Sequence, residues 1–243
     1  MRLVSAELLK LRTTRLLLWL GLLILGLEVL VIALHVSQNS VSELAQARSQ
    51  RDVVSIAAVS ALISLILGIV ASAGEFANGT IGHTFLVAPV RERVAAAKLV
   101  AVAFAGAVLA FAACVFAWAL AALLLKARSV PVHLGSGSSL RLVAGIVLAA
   151  AIAGALGVGY GSLLRRQTAA IVVALVWLLV GEPLLGIASA DPYGPGRVIA
   201  SVVEAGNQGS ELLSFDRGLV LALIYLAVAG VLGTLAFRRA DIT

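Results

Sequence analysis

The sequence predicts an all-α membrane protein with six transmembrane helices. Hydrophobic residues make up 61% of the 243 residues, and the mean hydropathy is +1.09. Only 12% of the residues are charged, about half of what a soluble domain carries. Six apolar stretches are each long enough to cross a bilayer as a helix. Helices are expected because the stretches lack the alternation of a membrane β-barrel and because lipid requires backbone groups to pair internally.

The six spans belong to a single transmembrane domain that covers residues 1–243. Each supplies about 20 apolar residues, the number that a helix needs to cross the hydrocarbon core. The third is too long for one straight crossing, so we expect it to tilt or to project from the bilayer. The spans run roughly over residues 16–36, 53–74, 94–125, 142–164, 168–186 and 219–237.

The distribution of cations predicts that both termini face the cytoplasm. In this orientation 11 of the 18 lysines and arginines lie inside and the other 7 lie outside. The pairs Arg165-Arg166 and Arg238-Arg239 adjoin span ends, where the positive-inside rule is strongest. The cations flank apolar spans and do not form one basic surface. The net charge of +6 therefore indicates membrane orientation, and no nucleic-acid partner is expected.

Residues 1–14, before the first span, have the pattern of an interfacial helix. Val4, Leu8 and Leu11 recur at spacings of four and three and so share one helix face, although Glu7 and Leu9 interrupt the pattern. A short basic helix of this kind lies in the plane of the membrane surface. The alternative is a charged flank that only fixes the topology.

A polar segment, residues 75–98, separates the second and third spans. Asn78-Gly79 is a turn signal, Pro89 can begin a helix because its missing donor costs nothing in the first turn, and Arg91, Ala95 and Lys98 then share a face. A bend that carries a carboxylate and cations beside the membrane indicates a docking surface for a soluble protein. The alternative is an ordinary positively charged loop. The candidate docking residues are Glu75, Phe76, Asn78, Gly79, Thr80, Pro89, Arg91, Arg93 and Lys98.

Motifs for catalysis and for cofactor or metal binding are missing from the sequence. It contains no phosphate-binding loop, no His-Glu-x-x-His metal motif and no Gly-x-Ser-x-Gly nucleophile elbow. The three histidines lie in separate regions, and Cys114 is the single cysteine. We therefore expect no catalytic, cofactor-binding or metal site in this chain.

Two acidic residues lie within predicted spans. Glu28 is near the middle of the first span, where an ionisable side chain must face protein or water; it is either a pathway or proton-coupling residue, or a protonated or hydrogen-bonded structural group. Glu182 precedes Pro183 near the outer end of the fifth span. A proline kink there would shape an exit, but we favour the simpler interpretation that it ends the membrane helix.

Small residues mark the fourth span, and turn residues mark the last connection. Gly157 and Gly161 form a Gly-x-x-x-Gly motif, preceded by Gly154, which predicts close packing against another helix. Residues 187–218 form the predicted extracellular segment. Within it a turn cluster at 191–196 is followed by an apolar stretch, 198–205, that we expect to fold as a short helix on the outer face.

The order of these features resembles the permeases of ABC-2 type transporters. The resemblance rests on Glu75, Gly79-Thr80, the run Pro89-Val90-Arg91, Arg93 and Lys98, after the second of six spans, and on the N-terminal segment 5–12. It implies a six-helix exporter domain with an interfacial N-terminal helix, a cytoplasmic coupling helix between spans two and three, and short outer helices before span six. The junction Val90-Arg91 lacks a small residue that many members carry before the arginine, which leaves the register of the contact open.

The same resemblance implies the function. The chain would be the permease subunit of an ATP-driven exporter in the bacterial inner (plasma) membrane. It would pair with a second permease copy or a paralogue, and each copy would sit on a separate ABC ATPase subunit that holds the ATP and Mg²⁺. Two alternatives stay open: an ion-gradient-driven transporter or channel that uses Glu28, and a membrane scaffold that transports nothing.

Overall fold

The computed structural model describes residues 2–80, 82, 90–132, 137–187, 191–204 and 212–238. Within these ranges the regular secondary structure is entirely helical, and six helical segments are long and apolar enough to cross a membrane. The predicted fold class is therefore confirmed.

The chain begins with two helices that meet at a sharp corner. Helix α1 (Arg2–Thr13) is followed by the first span, α2 (Leu16–Gln38), and Arg15 between them takes a left-handed backbone conformation with φ of 54°. Two short helices come next, α3 (Val41–Leu44) and α4 (Ala47–Ser55).

The second and third spans are longer than the sequence predicts. Helix α4 continues through a single 3₁₀ turn into α5 (Val59–Ala77), so the second candidate span extends over Ala47–Ala77. The third is one uninterrupted helix, α6 (Arg91–Ala127), of 37 residues. At 1.5 Å per residue it is about 55 Å long, well beyond the hydrocarbon core of about 30 Å.

The fourth span is α7 (Gly137–Leu164), and the fifth contains a break in its hydrogen bonding. The fifth span comprises α8 (Gln167–Val176), a π-helical turn (Trp177–Gly181) and α9 (Glu182–Ile187). The favoured interpretation that Pro183 ends this helix is wrong. The fifth span continues past this proline to Ile187, because Leu179, the i−4 acceptor for the missing N–H, lies in the π-helical turn, where the α-helical hydrogen bonding is already interrupted.

The last two helices are α10 (Pro195–Val203) and α11 (Phe215–Arg238). The short helix expected over 198–205 is thus present but begins at Pro195, a residue suited to the first turn.

Helices α5 and α7 form the centre of the bundle. In α7, 72% of the membrane-spanning window is buried within the chain, against 17% in α2, in the fifth span and in α11. The outer helices expose large apolar side chains such as Trp19 and Leu179, which are 69% and 74% exposed. Such surfaces suit contact with lipid or with a second membrane subunit.

Candidate functional site

Four charged side chains meet at one end of the bundle. The Lys98 ammonium group on α6 lies 2.6 Å from a carboxylate oxygen of Glu7 on α1 and 2.9 Å from Glu75 on α5. Lys10 on α1 lies 2.7 Å from the other oxygen of Glu7 and 3.0 Å from the same oxygen of Glu75. We call these four residues the charge cluster. It joins three helices that are far apart in the sequence.

Lys98 is almost completely enclosed by this cluster. The residue is 1% exposed, and its ammonium group also donates a hydrogen bond of 3.2 Å to the carbonyl of Ala71. With Glu7 and Glu75 this gives three acceptors for the three donors of a lysine. A buried charge is costly unless it is paired in this way, and removing one partner of a buried pair typically costs about 3–5 kcal/mol. The cluster therefore fixes how α1 sits against α5 and α6.

The two cluster residues on α1 have shifted pKa values. Burial alone would raise the pKa of the Glu7 carboxyl, but attraction to Lys98 and hydrogen bonds from Lys10 and Lys98 hold it below its ordinary 4.5. Burial alone would lower the pKa of Lys10, but its interactions with Glu7 and Glu75 hold that pKa above the ordinary 10.5. Both shifts stabilise the charged forms over a wide pH range around neutrality.

A tight turn leads away from the cluster at the end of α5. The backbone N–H of Asn78 donates to Gly74, and that of Thr80 donates to the carbonyl of Glu75 at 3.0 Å. Gly79 has φ of 68°, a left-handed conformation that glycine adopts without strain. Asn78, Gly79 and Thr80 are all exposed, so these three predicted docking residues lie at the surface.

An arginine from the fourth span closes the other side of this turn. The Arg165 guanidinium lies 5.6 Å from the centre of the Phe76 ring, within cation–π range, and donates a hydrogen bond of 2.8 Å to the carbonyl of Ala236 on α11. These contacts bring the ends of α5, α7 and α11 together. The charge cluster and the arginine-rich ends of α7 and α11 thus lie at the same end of the bundle.

The start of α6 completes the predicted docking segment. The helix begins at Arg91, where we expected Pro89 to begin it, and Pro89 lies outside the described residues. Arg91 is half-buried and Arg93 is exposed. The face shared by Arg91, Ala95 and Lys98 turns inward, because Ala95 and Lys98 are 3% and 1% exposed.

Comparison with known proteins identifies the family. The sequence model for the ABC-2 family transporter proteins matches residues 3–181, from the start of α1 to the end of the π-helical turn. This chain belongs to the ABC-2 family of transporter proteins. None of the curated proteins compared with it matches.

Membership defines the protein as a multi-pass ABC-2 transport permease. The family is one of membrane components that lack a nucleotide-binding domain of their own and work with an ATPase subunit. The match includes Glu7, Lys10, Glu75 and Lys98, so the whole charge cluster lies in the part of the permease that carries the family pattern.

Sequence reasoning missed half of the charge cluster in this permease. The sequence pattern presents Glu7 as an interruption in the apolar face of α1, and Lys10 as one of the inner cations within the segment 5–12 that resembles the family. In fact Glu7 is 6% exposed, and it lies on that face because Lys98 neutralises it there. The available signal was an acid among apolar positions with a lysine three residues later, on the same side of the helix.

Glu28 lies inside the permease and has no hydrogen-bond partner in the part of the chain that the structure describes. It is 0% exposed, and neither of its carboxyl oxygens has a hydrogen bond among the described residues. Its helix, α2, packs against α5 and α6. The charge cluster lies near the start of α2, and Glu28 is 12 residues, or about 18 Å of helix, beyond that start.

Glu182 connects the fifth span of the permease to α10. It is 7% exposed, and its carboxylate accepts a hydrogen bond from the backbone N–H of Gly196. The acid therefore joins the two segments that flank residues 188–190. This contact is compatible with the predicted role in shaping an exit, which stays a prediction.

The three glycines predicted to mediate packing of the fourth span, Gly154, Gly157 and Gly161, lie against neighbouring spans. A Cβ atom on Gly161 would come within 2.7 Å of the carbonyl oxygen of Ile69 on α5, and one on Gly157 would collide with the carbonyl of Leu65. At Gly154 the nearest atom belongs to Val102 on α6, at 3.3 Å. Small residues at these positions allow backbones to approach closely, as the motif predicts.

Proposed function

We propose that this permease forms, with a second copy or a paralogue, the substrate pathway of an ATP-driven exporter in the bacterial plasma membrane. Separate ATPase subunits bind the exposed turn after α5 and the start of α6. Both termini face the cytoplasm. The charge cluster supports this proposal most directly, because it joins the docking segment to α1 and α6 in one unit.

The cluster divides the predicted coupling residues into two groups. Asn78, Gly79, Thr80 and Arg93 are exposed and suited to touch the ATPase. Glu75 and Lys98 are enclosed, so we assign them a positioning role: they hold the turn against the bundle. A movement of the ATPase surface then shifts α1, α5 and α6 together, because separating them would leave buried charges without partners.

Site-specific photocrosslinking tests the docking surface. A photoreactive phenylalanine analogue at Asn78 is expected to crosslink to the ATPase that co-purifies with the permease. The matched control carries the same analogue at Gln38, an exposed residue at the far end of α2. Crosslinking at Gln38 but not at Asn78 would contradict both the docking surface and the orientation.

A second candidate function is transport driven by an ion gradient through Glu28. It is favoured by one observation, the burial of both carboxyl oxygens without a hydrogen bond among the described residues. An intramembrane acid of this kind is a default candidate for proton coupling. It predicts that vesicles containing the permease without ATPase show proton uptake that Glu28→Gln abolishes. Wild-type vesicles without such uptake would exclude it.

A further inference from the structure

A cavity of about 590 Å³ opens beside the corner between α1 and α2. We call it the corner cavity. The four residues of the charge cluster contribute to its lining, together with residues of α2 and α8 and of the turn after α5. Its volume falls within the range of about 300–1,000 Å³ that is typical of small-molecule sites. The cavity thus lies where α1 meets the ends of the spans.

The walls of the corner cavity change from polar to apolar with depth. Thr14 and Gln167 border helix ends, whereas Val70 on α5 and Val102 on α6 lie about one helical turn further into the bundle than the charge cluster. A free ion would leave the deeper wall uncovered, and a pure hydrocarbon would leave the polar rim without partners. The cavity therefore suits an amphiphile whose polar head lies at this end of the bundle.

The charges that line the corner cavity cancel one another. Lys10 and Lys98 lie 2.6 to 3.0 Å from the carboxylates of Glu7 and Glu75 in four ion pairs. Two ammonium groups therefore face two carboxylates, and the lining is neutral. Glu92, the other acid on α6, does not line the cavity. Any preference for a charged head must come from residues at the rim.

Two arginines at the rim supply a surplus of positive charge. Arg15 lies between the lining residues Thr14 and Leu16, and Arg166 directly precedes the lining residue Gln167. Both arginines are exposed, and within the part of the chain that the structure describes neither side chain forms an ion pair or a hydrogen bond. Two positive charges beside a neutral lining favour an anionic head.

The backbone at the rim has the same polarity. Leu16 and Gln167 are the first residues of α2 and α8, and both line the cavity. Neither helix has a side-chain cap at this end among the described residues. The N–H groups of such an end carry a partial positive charge that attracts phosphate. They reinforce the two arginines, which by themselves set the sign of the charge.

We infer that the corner cavity binds an anionic phospholipid. The phosphate lies at the rim beside Arg15 and Arg166, and an acyl chain lies along the deeper wall past Val70 and Val102. The binding requires no ATPase and involves a single copy of the chain, so the inference does not rest on the proposed exporter function.

Native mass spectrometry offers a direct test. The delipidated permease in detergent is titrated with dioleoyl phosphatidylglycerol, and separately with dioleoyl phosphatidylcholine, which has the same chains but no net charge. We expect one saturable site that prefers phosphatidylglycerol. Arg15→Gln with Arg166→Gln should lower the affinity for phosphatidylglycerol roughly thirtyfold, as the loss of two arginines near a membrane surface would give. The affinity for phosphatidylcholine should stay unchanged.

Two further variants locate the lipid. Arg12→Gln with Arg48→Gln removes the same charge from exposed arginines outside the cavity and should leave the binding of phosphatidylglycerol unchanged. Arg12 is a close control, because it lies on the face of α1 opposite to Lys10 and Thr14. Val70→Trp places a large side chain on the deeper wall and should weaken the binding of both lipids alike.

Equal binding of the two lipids to the wild type would overturn the anionic head, and this comparison holds even if a variant does not fold. Equal losses from the Arg15/Arg166 and Arg12/Arg48 pairs would overturn the site, because they would show general attraction to a basic surface. Wild-type binding by Val70→Trp would overturn the position of the chain. Displacement of phosphatidylglycerol by millimolar inorganic phosphate would assign the rim to a free anion instead. The titration contains no ATPase, so its outcome is independent of crosslinking at Asn78.

Discussion

The ammonium group of Lys98 lies 2.6 Å from the Glu7 carboxylate, although 91 positions of the chain separate the two residues. The pair is buried, with side chains that are 2% and 8% exposed. Since this contact holds α1 against the start of α6, we expect its disruption to affect both the stability of the permease and its proposed coupling to an ATPase.

Lys98→Met is expected to destabilise the permease by about 3 kcal/mol, because it leaves the carboxylates of Glu7 and Glu75 enclosed with Lys10 alone. For a chain of this size the loss corresponds to roughly 6–12 °C in the midpoint of thermal unfolding in detergent. The matched control is Lys126→Met, an exposed cation at the other end of α6 that should shift the midpoint little. Equal effects from the two variants would contradict the role of the cluster.

Adding Glu7→Gln to Lys98→Met should cost less than the sum of the two single changes. Residues that form one buried pair show interaction energies of about 0.5–3 kcal/mol in such a cycle. The measurement is the unfolding free energy of the four proteins in one detergent. Additive effects within about 0.5 kcal/mol would mean that the two groups do not interact appreciably.

Glu75→Gln is expected to reduce the coupling between permease and ATPase while leaving the complex assembled. The glutamine keeps the size of the side chain but removes the charge that holds Lys98 and Lys10 beside the docking turn. The stimulation of ATP hydrolysis by the permease should fall at least about fivefold, the lower end of typical coupling energies. The matched control is Asp216→Asn, which removes the charge of an exposed acid in the first turn of α11 and should leave the stimulation unchanged. Unchanged stimulation with Glu75→Gln would refute the positioning role.

The stabilisation supplied by Glu7 should depend on pH in a defined direction. Its pKa is lowered in the folded protein, so its contribution is present above about 4.5 and is lost as the pH falls through the lower folded value. The pKa of Lys10 is raised, so its contribution is present below about 10.5 and is lost as the pH rises through the higher folded value. The difference in unfolding midpoint between wild type and Glu7→Gln should therefore be large at neutral pH and should shrink toward zero in acid. A difference that stays constant down to the acid limit would contradict this account.

Gly157→Ala should be destabilising even though alanine is the better helix former. The new methyl group would collide with the backbone of α5 at Leu65, and such overpacking typically costs about 1–3 kcal/mol. Gly26→Ala on α2 is the matched control. Among the described residues, no atom outside its own helix lies within 4 Å of a Cβ at that position, so helix propensity alone should stabilise the variant by up to about 1 kcal/mol. The midpoints of thermal unfolding, measured in the same detergent, should fall for Gly157→Ala and rise for Gly26→Ala.

The overall fold was predictable because lipid leaves few choices. Apolar stretches of sufficient length, separated by cations, suffice to predict six helices and to group the ends of α7 and α11. The boundaries of the helices were harder to predict from the sequence. The extension of the second span to Ala47 includes Gln50, a polar residue that is 1% exposed and donates hydrogen bonds to the carbonyls of Leu44 and Pro131. Such a tertiary contact cannot be read from local hydropathy.

The candidate site was predictable only in part, for the same physical reason. Glu75 and Lys98 stand out as charges beside apolar spans, and the exposed turn between them has a recognisable sequence. Their partner Glu7 does not stand out, because its pairing with Lys98 depends on the packing of α1 across α5 and α6. The π-helical turn before Glu182 likewise has no local signal, since a proline accommodated within a helix by such a turn and a proline that ends a helix look alike in the sequence.

The unbroken length of helix α6 has a mechanical consequence. At one end it carries Lys98, and just past the other end Arg128 donates hydrogen bonds of 2.6 and 2.9 Å to the carbonyls of Val36 and Asn39. No hinge interrupts the 37 residues between Arg91 and Ala127. A pivot of this rod by about 10° would carry its far tip through roughly 10 Å. A displacement applied on one face of the membrane would thus reach the opposite face without any intermediate joint.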